Sequence, residues 1–355
     1  CFRADACAAL RFASAFPLTL QGWAIPLSLR FLPPPLAAAG RGAIDTAPHL
    51  TTKGSKEMKT ERIDIYNEIT NQIIEAIEAG AENYKMPWHV NGANSALPVN
   101  ASTHRPYRGV NVMMLWAVAT NKAYETNLWA TYQQWRELGA RVRKGEKSTC
   151  VVFWKFFNEE ADEQEGTESD ARRNPKAVMA RAYHVFNAGQ VKGYQMSAVP
   201  RLPDTERIAR AEQFIETIGA DIREGGSRAF YSPTEDYIQM PPFAVFKKAD
   251  YRYSVLAHEV THWTGAKTRL NRDLATRFQK ECYAAEELIA ELGSAFICAE
   301  LELEIEPRRD HAPYIQSWLK VLRNDKRAIF TASAKAQQAI DWLFKRNHDA
   351  KEAAA

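Results

Sequence analysis

His258-Glu259-Val260-Thr261-His262 is the stretch on which the fold and chemistry of this chain turn. Two imidazoles and a carboxylate at that spacing make a metal-dependent hydrolase site when the stretch is helical. On an α-helix four residues advance about 400°, so His258 and His262 return to nearly one face, one turn apart, where both rings can hold one ion. Glu259 then stands beside the ion, where it can take a proton from the attacking water and pass it to a leaving amine. Zinc supplies the other half of that chemistry by lowering the pKa of its water from about 9 toward about 7. The flanking residues support a helix. Tyr253, Leu256, Val260 and Trp263 recur at three- and four-residue steps, Asp250 precedes them as a cap, and Gly265 stands where a helix would stop. Taken alone, the five residues are equally compatible with two histidines that bind nothing, so a third ligand decides the matter.

A catalytic zinc takes three protein ligands and keeps one position open. Glu286-Glu287-Leu288-Ile289-Ala290-Glu291 supplies carboxylates within a second apolar-periodic run, 283–303, in which Leu288, Leu292, Ala295, Phe296 and Ala299 follow helical spacing. Glu287 and Glu291 share a face. Glu287 is assigned as the third metal ligand and Glu291 as the outer acceptor that fixes the tautomer of a metal histidine. Glu286 and Glu291 are the alternative ligands, and an acidic face in solvent is the alternative to any metal role. Tyr283 and His311 are conceivable oxyanion donors.

At this point the chain resembles a known family. His258 to Gly265 (HEVTHWTG) followed by Tyr283 to Leu292 (YAAEELIAEL) is similar to the zincin-like metallopeptidase domain of ArdC-type antirestriction proteins. Upstream, Tyr107-Arg108-Gly109-Val110-Asn111, Trp129-Ala130-Thr131-Tyr132, Leu138-Gly139-Ala140-Arg141-Val142-Arg143-Lys144-Gly145-Glu146-Lys147, Val151-Val152-Phe153-Trp154-Lys155 and Val185-Phe186-Asn187 resemble that family's N-terminal domain, a single-stranded-DNA-binding module also found at the start of some plasmid primases. The resemblance spans about 59–345. It implies protection of incoming plasmid or phage DNA from host restriction, with zinc as cofactor. A primase role is disfavoured because no polymerase motif is recognisable.

Composition agrees with a two-domain globular protein: 355 residues, 46% hydrophobic and 25% charged. A net charge of +3 says little about partners. Cysteines at 1, 7, 150, 282 and 298 show neither metal-ligand pairing nor a disulfide framework, which suits a reducing cytoplasm. The uncharged stretch 12–29 is broken by Pro17, Gln21, Gly22 and Pro26, so no membrane segment is expected. Residues 1–57 are expected to be a disordered or non-native extension, such as translated upstream sequence, with the functional protein starting at Met58.

From Met58, Ile63, Tyr66, Ile69, Ile73, Ile74 and Ile77 predict an amphipathic helix closed by Gly80. A buried helix is predicted over 110–120, a short helix over 131–138, and strands over 148–157 and 180–186, separated by a mobile acidic loop over 159–170. A helix over 207–218 opens the second domain. A hairpin follows, with strands at 229–232 and 236–240 around the turn Pro233-Thr234-Glu235. In zincin-like peptidases the strand before the metal helix pairs with substrate, so the resemblance makes 236–240 the candidate, against an ordinary sheet strand.

Between residues 85 and 155 ten basic side chains face three acidic ones, a local excess of seven, and nine Trp, Tyr and Phe residues are interleaved with them. Cations track phosphates and aromatic faces stack on unpaired bases. Core aromatics beside a solvated basic face would give the same pattern, certainly at Trp116. The candidates for DNA contact are Arg105, Tyr107, Arg108, Arg141, Arg143, Lys144 and Lys147, which flank Gly and Pro in predicted loops. Gly145 would let backbone amides approach a phosphate.

The expectation is thus an α+β protein. A mixed α/β single-stranded-DNA-binding domain over 58–198 is followed by a linker over 199–204. A zincin-like metallopeptidase domain of the gluzincin type covers 205–348. Its metal ligands are His258, His262 and Glu287, its base Glu259, its outer-shell residue Glu291, and its ion Zn2+. The partners expected are single-stranded DNA and, as peptidase substrate, a restriction enzyme or other host protein, in the cytoplasm and with no membrane. The alternative is a general zinc endopeptidase whose basic N-terminal domain binds protein rather than DNA.

Overall fold

Ile69, Ile73, Ala76 and Ile77 bury one side of helix α1 (Ile65–Ala81), which Asp64 caps by accepting the Asn67 N–H. The computed structural model describes residues 64–90, 96–157, 177–195, 202–278, 281–305 and 312–354. The extension expected over 1–57, the acidic loop expected over 159–170, linker residues 199–201 and His311 lie outside the described residues.

After the two-residue strand β1 (Val99–Asn100) comes α2 (Val110–Asn121), apolar on every side and buried along most of its length, as the sequence predicts. Strand β2 (Leu128–Thr131) leads into α3 (Tyr132–Glu137) through a capping box in which Thr131 and Gln134 exchange side-chain and backbone hydrogen bonds. Strands β3 (Arg141–Val142), β4 (Thr149–Phe157), β5 (Ala177–Asn187) and β6 (Val191–Lys192) follow. β1, β2, β5 and β4 form one sheet in that order; β3 pairs with β6. Because β4 is an edge strand, its inner backbone groups need a partner. Asn111 of α2 supplies one, donating to the Val152 carbonyl and accepting the Val152 N–H, both at 2.8 Å.

The second half begins with α4 (Asp204–Ile218) and a three-stranded sheet of β7 (Asp221–Glu224), β8 (Phe230–Ser232) and β9 (Tyr237–Met240), in the order β7-β9-β8. The hairpin β8–β9 was legible; the short, polar β7, which pairs parallel with β9, was not. Helices α5 (Ala249–Thr264), α6 (Ala275–Phe278), α7 (Cys282–Glu300), α8 (Ala312–Asn324) and α9 (Ala328–Ala354) complete the chain. Asp250 is not the cap of α5. Lys248 holds that position, and Asp250 lies buried in the first turn, 3.0 Å from the guanidinium of Arg207. Arg207 is itself buried and also donates to Asp204 and to the Glu302 carbonyl, so a charge from α4 had first claim on this carboxylate.

α5 and α7 lie side by side, with α7 buried almost throughout. Gly293 of α7 faces Thr261 of α5 so closely that a Cβ there would stand 2.4 Å from the threonine methyl. Glu61–Ala355 form one compact unit, and a single apolar core runs from α1 and α2 into α7, α8 and α9. Trp88 packs on Trp318, Trp116 on Phe296 and Tyr66 on Phe330, so the two expected domains share this core. Among the described residues no helix is long and apolar enough to cross a membrane.

Candidate metal centre

The apolar stripe of α5 fixes its rotation in the core, and that rotation turns His258 and His262 toward the carboxylates of α7. The two Nε2 atoms are 3.2 Å apart, and Glu287 places its oxygens 3.6 Å from His258 Nε2 and 3.7 Å from His262 Nε2. A tetrahedral ion with bonds of about 2.0–2.1 Å separates its ligand atoms by roughly 3.3 Å, so these three side chains fit one ion. Glu259, also buried, lines the same cleft without belonging to this triangle.

Each histidine has a carboxylate behind it. His258 Nδ1 lies 2.8 Å from Glu291 Oε1, the position expected for Glu291. His262 Nδ1 lies 3.2 Å from Glu286 Oε1, and Glu286 is gripped by Arg272 through Nε at 2.8 Å and through Nη2. Arg272 also bonds the Thr261 carbonyl and the Thr264 hydroxyl, so it splints the end of α5. Arg272 sits in a loop without periodicity, so no sequence pattern pointed to it. An Nδ1–H donated outward leaves each Nε2 lone pair facing the ion position.

Burial opposes charge throughout this cluster. At His258 the Glu287 and Glu291 carboxylates outweigh it and hold the imidazole pKa up at about 10. At Glu286 and Glu287 burial is outweighed in the other sense, by Arg272 and by His258 respectively, and both carboxyls stay below their ordinary value. The site favours positive charge, which a proton or a cation can satisfy.

The cleft has a volume of about 840 Å³. Its wall corrects the expected substrate strand. β9, which occupies 236–240, is the central strand with both edges paired to β7 and β8, so it has no edge to offer a peptide. Of the two edge strands, β7 and β8, it is β8 whose residues Phe230 and Tyr231 line the cleft. Arg269 fastens this wall to α5: it donates to the Tyr231 hydroxyl at 3.0 Å, pairs with Asp236, and stacks 4.1 Å over Trp263. Tyr283, well exposed, also lines the cleft, with its hydroxyl 3.1 Å from that of Tyr314.

The residues expected to meet DNA separate into groups. Arg105, Arg141, Lys144 and Lys147 are exposed, and Lys192 stands directly across from Arg141 in the β3–β6 pair. Gly145 between them has a left-handed φ of 89°. Arg143 is held by Glu146 through Nε at 2.9 Å, and Arg108 is paired with Asp341 of α9. Tyr107 is only 5% exposed, so its ring is part of the core rather than of a DNA surface. Trp88, Trp116, Trp129 and Trp135 are buried likewise. Among the described residues of this half, the exposed rings are Tyr132, Phe153, Trp154 and Tyr183. Phe153, 49% exposed, meets Tyr183 of β5 edge-on at 5.4 Å, and Arg181 lies 6.0 Å over the Tyr183 ring.

Comparison with known proteins agrees with both halves. Residues 63–186 match the family described as the N-terminal domain of anti-restriction factor ArdC, and residues 209–335 match zincin-like metallopeptidase. An uncharacterized protein, y4eC, of Sinorhizobium fredii (strain NBRC 101917 / NGR234) is 50% identical over 288 residues, 81% of this chain and 94% of that protein. A DNA primase TraC of Escherichia coli is 37% identical over 285 residues, 78% of this chain but only 19% of the primase. Crystal structures of the antirestriction protein ArdC from the R388 plasmid align at 42% identity and a TM-score of 0.65 in the metal-free form, covering 81% of this chain and 98% of that one. The Mn(II)-bound form aligns at 41% and 0.63, covering 80% and 98%. The α+β architecture, the paired domain types and this degree of likeness place the chain in the ArdC-type antirestriction family, with a zincin-like metallopeptidase domain.

Proposed function

We propose that this chain is a metal-dependent peptidase joined to a single-stranded-DNA-holding domain, and that together they protect incoming plasmid or phage DNA from restriction in the cytoplasm. The observation that supports it most is the approach of His258, His262 and Glu287 to within 3.2 to 3.7 Å of one another beside Glu259, in an open cleft. A zinc ion held by these three would activate a water and polarise the scissile carbonyl. Glu259 takes the proton of the attacking water and delivers it to the leaving amine. The main chain of an extended peptide adds to the edge of β8, and the Tyr283 hydroxyl donates to the oxygen on which charge develops.

In the amino-terminal domain, 58–198, the backbone of a single strand follows Arg141, Lys144, Lys147 and Lys192, while bases stack on Phe153 and Tyr183. The peptidase domain, 205–348, then acts on a restriction enzyme or another host protein that reaches the same strand. Incubating the protein with restriction enzymes, with and without single-stranded DNA, tests this. Cleavage of the enzyme is expected, and Glu259→Gln should lose it by about 10²-fold or more while keeping the ion. Protection that survives both chelation and Glu259→Gln would overturn the peptidase half and leave coating of the DNA. A lack of salt-dependent binding to single-stranded oligonucleotides would favour a general endopeptidase whose basic domain grips protein.

A further inference from the structure

The two metal histidines are backed by relays of the same design but different origin. Behind His262 the relay is Glu286 and then Arg272, all within the metallopeptidase domain. Behind His258 it is Glu291 and then His89, and His89 belongs to the ArdC-type amino-terminal domain. Met86-Pro87-Trp88-His89 forms a tight turn closed by the His89 N–H on the Met86 carbonyl at 2.9 Å. Trp88 anchors the turn against Trp318 of α8, and His89 is 4% exposed.

The orientation of the His89 ring is determined. Its Nδ1 accepts the Met86 N–H at 3.2 Å, so in the neutral ring the proton is on Nε2. That nitrogen faces Glu291 Oε2 at 3.5 Å, while the other oxygen of the same carboxylate lies 2.8 Å from His258 Nδ1. Glu291 therefore lies between the imidazole that turns toward the ion and one contributed by the amino-terminal domain. A carboxylate approached by a ring nitrogen at each oxygen has less room to swing about its last torsion, and His258 shares that restraint.

We propose that His89 is a positioning residue of the metal centre, through which the amino-terminal domain sets the ion affinity of the peptidase domain. The inference rests on the assignment of His258, His262 and Glu287 as the ion-holding residues. No link in the relay needs a change of protonation; what His89 supplies is a donor at a fixed place.

The test is the dissociation constant of Zn2+ for the full chain, read by chelator competition, in wild type, His89→Ala, His89→Phe, His89→Gln, Glu291→Ala and the double variant. Disturbing an outer-shell partner such as Glu291 costs about 10–100-fold in metal affinity, and His89 acts one residue further out, so His89→Ala and His89→Phe should weaken binding by up to about 10-fold. His89→Gln, which returns an N–H near Nε2, should recover most of it. In the Glu291→Ala background, loss of His89 should add less than about twofold, as expected of residues acting in series. His89→Phe fills the space without the donor, so it separates the relay from packing even if His89→Ala fails to fold. Wild-type affinity in His89→Phe, or effects of His89 and Glu291 that simply multiply, would overturn the relay. If the wild-type chain takes up no divalent ion, the ion-holding assignment falls and the relay falls with it. This readout does not depend on peptidase activity.

Discussion

The metal cleft and the amino-terminal surface differ in how their functional groups are held. In the cleft His258, Glu259, Glu287 and Glu291 are buried, and each imidazole has a carboxylate behind it and a further donor behind that. On the amino-terminal surface Arg141, Lys144, Lys147 and Lys192 are exposed, as are the rings of Phe153 and Tyr183 on the larger sheet. Chemistry that depends on fixed distances is built from preorganised layers, whereas adhesion to a polyanion needs only charge and flat apolar faces in reach. Substitutions should therefore act steeply in the first region and gradually in the second.

Glu287→Ala should have the largest effect, weakening divalent-ion binding by at least about 100-fold in chelator competition, beyond the 10–100-fold cost of an outer-shell loss. An unchanged affinity would move the ion to another residue. Arg272→Ala should cost about 10–100-fold in the same assay. It should also lower the melting temperature, because the buried Arg272 ties Glu286 to the end of α5. On the other side of the comparison, Phe153→Ala with Tyr183→Ala should weaken single-stranded-DNA binding by about 1–3 kcal/mol per base unstacked and leave its salt dependence unchanged. Lys144→Ala with Lys147→Ala should instead flatten the salt slope by about two units. Equal behaviour of the two pairs would dissolve the distinction between stacking and phosphate contacts. Tyr107→Phe, at a ring buried in the core, should change DNA affinity by less than about twofold.

Proton competition gives a finer measure of the cleft. His258 is raised from 6.5 to about 10, so its protonated form stabilises the metal-stripped protein fully below pH 6.5, and that contribution is lost as pH rises toward 10. An ion must expel this proton. Affinity should then climb about tenfold per pH unit through neutrality, with close to one proton released per ion in calorimetry. A flat profile would mean that the ion does not take His258 Nε2.

The same contrast explains what could be read beforehand. His258, His262, Glu287 and Glu291 were legible because helical periodicity converts spacing into geometry, and α5 and α7 keep that periodicity. Arg272 and His89 were not, since each comes from a segment without repeat and reaches its carboxylate only through tertiary packing. The strand order β7-β9-β8 was hidden for a similar reason: a hairpin announces two strands but not a third that pairs from outside, so β9 looked like an edge when it is the centre. On the amino-terminal surface an aromatic residue reads alike in or out of the core. Tyr107 and Phe153 lie 6.4 Å apart, yet only Phe153 meets solvent.

The bare α-carbon of Gly293 against Thr261 sets how near the backbones of α5 and α7 come, and hence the span between imidazole and carboxylate. A position with no chemistry of its own thus works as a caliper. Enlarging it by one methyl would widen the jaws, and the preference of the centre should drift from small cations toward those with longer coordination bonds.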